Sequence, residues 1–386
     1  MQTLIEKGID VNATNKYGEN ALHLLCGNYS TSNSKEAIRI LIQNGIRVIP
    51  NGNDPRSILR KNNELSNTEK KEILKLLDEM KIKFDQRDKL GSGGYGSMFR
   101  GELKNDAVCL AVAVKRVLLN EVNANEEKAL RELQTHPNIV QLFHCERDDN
   151  FRYYAMELCD ASLDQLYLKT DDPKKYKGPR PSNIEVFRQL AVGLAYIHSK
   201  KFIHRDIKPG NVLIKRPPRQ DDETIIKWAD FGLSKAVNER GTFTLSDIKG
   251  TEKWRAPESL KLLENAQEED EPRGTVQSDV FVLCLVFGYL LLKGDHLYGS
   301  KGDNVEKNIR KGNPVNMQKI NGELRNYYEY DLLRKMLEDD PKKRITSKEV
   351  VKQLKSINDK LTEKEEELRR LCERDSSSGL KKKLKT

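Results

Sequence analysis

Between residues 1 and 82 the apolar positions come in short clusters separated by polar stretches. Leu4-Ile5-Glu6-Lys7-Gly8-Ile9 returns as Leu41-Ile42-Gln43-Asn44-Gly45-Ile46, and more faintly around Leu76-Leu77-Asp78-Glu79-Met80. A period in the mid-thirties, with a glycine turn and a helix start between copies, predicts helical repeats that each need a neighbour to bury an apolar face. From Phe84 the period shortens to that of strands: Val112-Ala113-Val114-Lys115 alternates, and residues 153–159 read as another strand. Between them, in the helical stretch 125–134, Ala129, Leu130 and Leu133 fall at +3, +4 and +7 from Glu126, which puts that carboxylate on the inward face. Counted from Glu127, the same offsets give Leu130, Arg131 and Gln134, so Glu127 is predicted to face solvent. Helices over 184–199 and 280–292 bracket short strands at 212–214 and just before Asp230. Strands gathered early and helices late give an α+β reading, behind an all-α segment. Leu354, Leu361 and Leu368 lie seven apart, but Lys364 stands at one seam position, so a charged terminal helix is expected rather than a coiled coil.

Composition narrows the class. At 386 residues there is room for one large domain and a smaller one. The formal charge of +9 is a small excess of 68 basic over 59 acidic side chains, which speaks for solubility more than for a nucleic-acid surface. Cys26, Cys109, Cys145, Cys159, Cys284 and Cys372 show no CxxC spacing, which argues against a zinc site and a disulfide framework and for a reducing, cytoplasmic setting. Glu6, Lys7 and Asp10 stand where a signal peptide would be apolar, and the run 280–292 is too short to span a bilayer.

The candidate chemistry gathers at His204-Arg205-Asp206-Ile207-Lys208-Pro209-Gly210-Asn211. An Asp can take the proton of an attacking hydroxyl, a Lys two residues on can neutralise a transferring phosphoryl group, and an Asn carbonyl can hold Mg²⁺. Upstream, Leu90-Gly91-Ser92-Gly93-Gly94-Tyr95-Gly96-Ser97-Met98 is a glycine-rich turn whose backbone N–H groups could approach phosphates, a weak signal until joined to Lys115 at the end of its strand. Asp230-Phe231-Gly232 follows Asn211 by 19 residues across a hairpin and supplies a second hard oxygen ligand.

With these motifs in order, residues 84–357 resemble a eukaryotic protein kinase domain, of the serine/threonine type because Lys208 follows Asp206 by two positions. The resemblance implies a two-lobed fold, with a small β-rich lobe followed by a mainly helical one, and ATP with Mg²⁺ as cofactors. It assigns Asp206, Lys208, Lys115 and Glu126 to catalysis, and Asn211 and Asp230 to metal. The nucleotide would lie against residues 90–98, Ala113 and Lys115, with Met156 bordering the adenine and backbone groups of Glu157 and Cys159 available to it. Asp279 would brace the catalytic loop, and Glu258 would pair with Arg344. Phosphorylation of Thr242, Thr244 or Ser246 would activate the enzyme, with Arg205 receiving the phosphate.

Asn20-Ala21-Leu22-His23 resembles the signature of an ankyrin repeat, so residues 1–82 are expected to be ankyrin-like and 358–386 a charged tail. "YYAMELC" at 153–159, the run 250–258 and the run 294–299 are similar to the kinase/endoribonuclease stress sensors of the unfolded-protein response, and ankyrin repeats on such a kinase resemble ribonuclease L. About thirty residues follow 357, too few for the ribonuclease domain of those families, so RNA cleavage is not carried over. The expected partners are ATP and a protein bearing Ser or Thr, with room for a protein partner on the ankyrin-like segment and for a homodimer. A kinase-fold scaffold, or a truncated kinase/endoribonuclease, are the alternatives.

Overall fold

The computed structural model describes residues 21–27, 37, 38, 40, 41, 58, 59, 66–78, 80–93, 96–105, 109–133, 135–216, 223–244, 250–264, 273–299, 304–323, 327–360, 362 and 363. Contacts divide the chain into two compact units, Met1–Pro179 with Ser199–Val237, and Arg180–His198 with Asn238–Thr386.

The first unit is built on a five-stranded antiparallel sheet in the order β1-β2-β3-β5-β4, formed by β1 (Lys81–Gly93), β2 (Gly96–Lys104), β3 (Cys109–Leu118), β4 (Leu142–Arg147) and β5 (Phe151–Glu157). β1 and β2 make the hairpin expected of the glycine-rich run, closing with Gly93 opposite Gly96. Gly96 has φ +119°, and a Cβ there would lie 2.5 Å from the Arg116 carbonyl oxygen, so only glycine fits where the hairpin crosses β3.

β3 is buried on both faces, which is why its sequence reads apolar almost throughout. Val112 and Val114 point to one side, into a cluster with Leu103 and Ala155; Ala113 and Lys115 point to the other. That cluster is completed by Leu22 and Cys26 of α1 (Ala21–Gly27), Ile73 of α2 (Asn67–Asp78), and Ile38, Leu41 and Leu59. The amino-terminal helices thus share one core with the sheet. Most of the expected ankyrin-like segment, including the turn at 12–18, lies outside the described residues, as do Gly94, Tyr95, Ser246 and the tail from 364 onward.

α3 (Ala124–Leu133) follows β3 and buries Glu126, Ala129, Leu130 and Leu133 on one face, the pattern read from the sequence. A second sheet, β6 (Ala161–Ser162), β8 (Val212–Lys215) and β9 (Ile225–Trp228), lies within the same unit, as does the pair formed by β7 (Phe202–Ile203) and β10 (Lys235–Ala236). Residues 204–211 are held between β7 and β8. Trp228 anchors β9 to the stretch after α3, its N–H donating to Asn138 O at 2.8 Å and its carbonyl accepting from Val140 N–H at 2.9 Å.

The second unit contains α4 (Asn183–Ser199), except for its last residue, and α6 (Gln277–Leu291). α6 is apolar all round and buries Val280 through Gly288, as a central helix must. Phe187 of α4 stacks on Phe287 of α6 with ring centroids 4.0 Å apart. α6 begins ahead of the apolar run, so Asp279 sits in its first turn, with Oδ2 3.1 Å from His198 Nε2; His198 Nδ1 lies 2.9 Å from Ser347 Oγ. Arg344 and Glu258 form the expected pair, with the arginine buried and the carboxylate partly so, a two-pronged contact at 2.6 and 2.9 Å that ties α5 (Pro257–Glu264) to the loop carrying Arg344. Thr242 and Thr244 lie on β11 (Thr242–Thr244), paired with β12 (Arg273–Thr275).

Candidate active site

A cavity of about 340 Å³ opens within the first unit, and most of the residues singled out in the sequence line it. Lys115 is 5 % exposed, at the end of the β3 face that looks into the cavity. Its Nζ contacts Glu126 Oε1 and lies 3.2 Å from Asp230 Oδ1. Burial works against the Lys115 ammonium, but the carboxylates of Asp230 and Glu126 outweigh it and hold its pKa above the ordinary lysine value. Burial also raises Glu126, against the pull of Lys115. The two upward shifts have different causes in one cluster: the carboxylates raise the cation, and burial raises the carboxyl.

Glu127, expected in solvent, is instead a clamp. Its carboxylate accepts from Arg131 at 2.7 Å, one turn on, and from Arg152 of β5 at 3.0 Å. Burial opposes its charge, but the two guanidinium groups prevail and lower its pKa. α3 is therefore fixed by adjacent glutamates, one to the cavity lysine and one to the sheet.

The 204–211 loop is tightly cross-linked. Lys208 Nζ donates to Asp206 Oδ2 at 2.7 Å, and Asn211 Nδ2 donates to both the carbonyl and Oδ2 of Asp206 at 2.8 Å. His204, fully buried, packs its ring against Trp228 and Phe231. Its Nδ1 accepts from Asp206 N–H, so Nε2 carries the proton donated to Ala229 O at 3.1 Å. Arg205 and Asp230 adopt left-handed backbone, φ +69° and +59°, conformations that cost about 1 kcal/mol or more each in a non-glycine residue and persist where neighbours over-determine them. For Asp230 those neighbours are Ala229, whose N–H donates to Asn211 O at 3.0 Å, the buried Phe231, and Gly232, whose carbonyl accepts from Asn123 Nδ2 at 2.8 Å.

The apolar end of the cavity is formed by Met98, Ala113, Met156 and Leu213, with Val140 and Leu130 behind. Gly91, Ser92, Gly93 and Gly96 line its glycine-rich edge, and Glu157 its far wall. Leu90, Ser97 and Cys159 do not line it: Leu90 faces a separate recess, Ser97 is paired within the sheet opposite Ser92 and Arg116, and burial pushes the Cys159 thiol up to about 12.

Two supports carried no readable signal. Asn123 looks like an ordinary pre-helix residue. Lys227, in the alternating strand Ile225-Ile226-Lys227-Trp228, looks like a surface lysine but is 3 % exposed. Its Nζ donates to Pro137 O at 2.8 Å and lies 2.9 Å from Glu157 Oε2. The contact with Glu157 is ionic and not a directed hydrogen bond, since no donor is aligned on that oxygen.

With Asn211 Nδ2 turned to Asp206, the Asn211 carbonyl oxygen and the Asp230 carboxylate are the hard oxygen donors offered to the cavity. They fit Mg²⁺, which takes one or two protein oxygens and completes its shell with phosphate and water. Among the described residues no group of three or more His, Cys, Asp or Glu side chains gathers as a metal cage.

An antiparallel sheet roofed by a glycine-rich hairpin, a lysine fixed by a helix carboxylate, and a polar loop of base and oxygen donors are together the marks of the two-lobed kinases. The chain belongs to the protein kinase domain family, whose sequence profile matches residues 84–354. It is similar to a human serine/threonine-protein kinase/endoribonuclease, IRE2, at 41% identity over 224 residues, covering 57% of this chain and 23% of that one. A Schizosaccharomyces pombe protein named a sensor for unfolded proteins in the ER is 31% identical over 279 residues, 67% of this chain and 25% of that one. The interferon-induced, double-stranded RNA-activated protein kinase of Mus musculus is 29% identical over 290 residues, 70% and 50% respectively. The chain thus spans about a quarter of the first two relatives and half of the third. Among the described residues no helix is long and apolar enough to cross a membrane.

Proposed function

We propose that this chain is a serine/threonine protein kinase that transfers the γ-phosphoryl group of ATP to protein hydroxyls. The observation that carries the reading is Lys115, held between Glu126 and Asp230 in the cavity that also contains Asn211 and Lys208. The apolar end receives the flat base, with backbone groups of Glu157 beside it. Lys115 binds phosphate oxygens, and Glu126 keeps it in place. Asp206, oriented by Asn211 and Lys208, accepts the proton of the attacking hydroxyl, while the Lys208 ammonium offsets charge on the phosphoryl group in flight. Asn211 and Asp230 would hold Mg²⁺, whose charge would offset that of the phosphates. Positioning and electrostatics supply most of the rate in such a site.

The names of the relatives favour a role in stress signalling. The reading includes a cytoplasmic setting, a possible homodimer, an ankyrin-like segment over 1–82 that recruits a protein, and a tail over 358–386. It also includes activation by phosphorylation of Thr242, Thr244 or Ser246. Purified chain incubated with labelled ATP and a general protein substrate should yield phosphoserine or phosphothreonine. ATP binding without any transfer would favour a scaffold. Full activity retained after phosphatase treatment would remove the activation step alone.

A further inference from the structure

A second recess, of about 390 Å³, adjoins the cavity in sequence on two sides: Leu90 lines the recess and Gly91 the cavity, and Asp160 of the recess follows the strand that supplies Met156 and Glu157. Four lysines and one arginine line it against a single carboxylate, Asp160. That carboxylate is already engaged, accepting from Arg216 Nε at 2.8 Å and from its backbone N–H at 2.7 Å. Lys175 is turned inward, its Nζ donating to the carbonyls of Leu166 and Leu168 at 2.6 and 2.8 Å, which fixes the loop that carries its neighbours. Lys89, Lys174 and Lys177 are left exposed around the recess, and among the described residues none of their ammonium groups has a carboxylate partner. Exposed lysines around one recess, with its carboxylate already engaged, leave a net positive potential that attracts an anion.

We propose that this recess recognises an acidic or phosphorylated residue of the protein substrate, and so selects acceptor sites flanked by negative charge. The proposal rests on the kinase reading and adds its substrate class. A compact pocket of point-charge lysines suits one carboxylate or phosphate. A nucleic-acid strand would call for an extended basic track with free aromatic faces for the bases. Here the aromatic residue, Tyr176, is tied back through its hydroxyl to Pro179 O at 3.1 Å.

The test offers the full chain peptides with one Ser or Thr acceptor and, at successive flanking positions, Asp, phosphoserine, Ala or Lys. At one flanking offset kcat/KM should be about tenfold higher for Asp or phosphoserine than for Lys, through KM, with the gap narrowing in added salt. The combined variant Lys89→Glu, Lys174→Glu, Lys177→Glu should lose or reverse that preference while KM for ATP and turnover of the Ala peptide stay unchanged. Equal kcat/KM across the wild-type series, or a preference that survives in the variant, overturns the proposal. Anisotropy of a labelled phosphopeptide on Asp206→Asn protein reads the recess without turnover: charge-dependent binding there, alongside wild-type chain that never transfers phosphate, sinks the kinase reading alone, and wild-type transfer without charge preference sinks this proposal alone. If single-stranded RNA binds, and the triple variant loses RNA but not phosphopeptide, the occupant is nucleic acid and the proposal is wrong.

Discussion

At Lys115 two carboxylates surround one ammonium in a site almost closed to water, and what each does can be separated by substitution. Lys115→Met removes the cation and leaves Glu126, 4 % exposed, and Asp230 facing each other. We expect kcat/KM to fall by about 10³-fold or more, as for other losses of a group that stabilises developing charge. Glu126→Gln keeps the shape but frees the lysine, and should cost about 10²-fold with a smaller effect on ATP affinity. Steady-state kinetics with ATP titrated at saturating peptide distinguishes the two. The placing of Lys115 and Glu126 was legible because each stands in a stretch with its own local period, and that of Asp230 because Asp-Phe-Gly follows Asn211 across a hairpin. Lys227 was not, because its burial depends on Pro137 and Glu157, about 90 and 70 residues away in sequence. The solvent-facing reading of Glu127 missed the same kind of partner: helical offsets see Arg131 but not Arg152 on β5.

Among the elements, α3 and β3 show how far a period reaches. The inward face of α3 was read correctly from three apolar offsets. For β3, alternation placed Ala113 and Lys115 together, but it could not say what covers Val112 and Val114; the structure covers them with residues from α1 and α2. Removing residues 1–79 would expose that face of the sheet. We expect the shortened chain to unfold at lower temperature and to aggregate more readily, seen in a thermal melt followed by light scattering. In the second unit, Arg344 has a fully buried side chain held by Glu258 and by the carbonyls of Gln277, Glu338 and Asp339. Arg344→Ala leaves a partly buried carboxylate without its partner and should destabilise by about 3 kcal/mol, measured by denaturant unfolding. Glu258 and Arg344 lie far apart in the chain, and family resemblance rather than pattern brought them together.

For the whole molecule, stability should depend on pH through a histidine of the second unit. Burial pushes His296 down from 6.5 to about 4, although a backbone contact with Lys253 pulls the other way. The folded protein therefore keeps His296 neutral between those values while the unfolded chain binds a proton. Stability is full above the unfolded pKa, declines as pH falls from about 6.5 to about 4, and the loss reaches about 3 kcal/mol at most. Melting temperatures at pH 7 and 5 should differ less in His296→Gln than in wild type, whatever that substitution does at neutral pH.

At this scale the reading comes down to one assembly: Lys115, Glu126, Asn211 and Asp230 lining a single cavity, with Asp206 bonded to its floor through Asn211. Asp206→Asn changes one oxygen and leaves the cavity's shape intact, so it isolates the base. Transfer from labelled ATP to protein, by wild type and variant side by side, should fall by about 10³-fold or more in the variant while its affinity for ATP stays within about twofold. Equal turnover in the two proteins would contradict the assignment of Asp206, and with it the mechanism built on this loop.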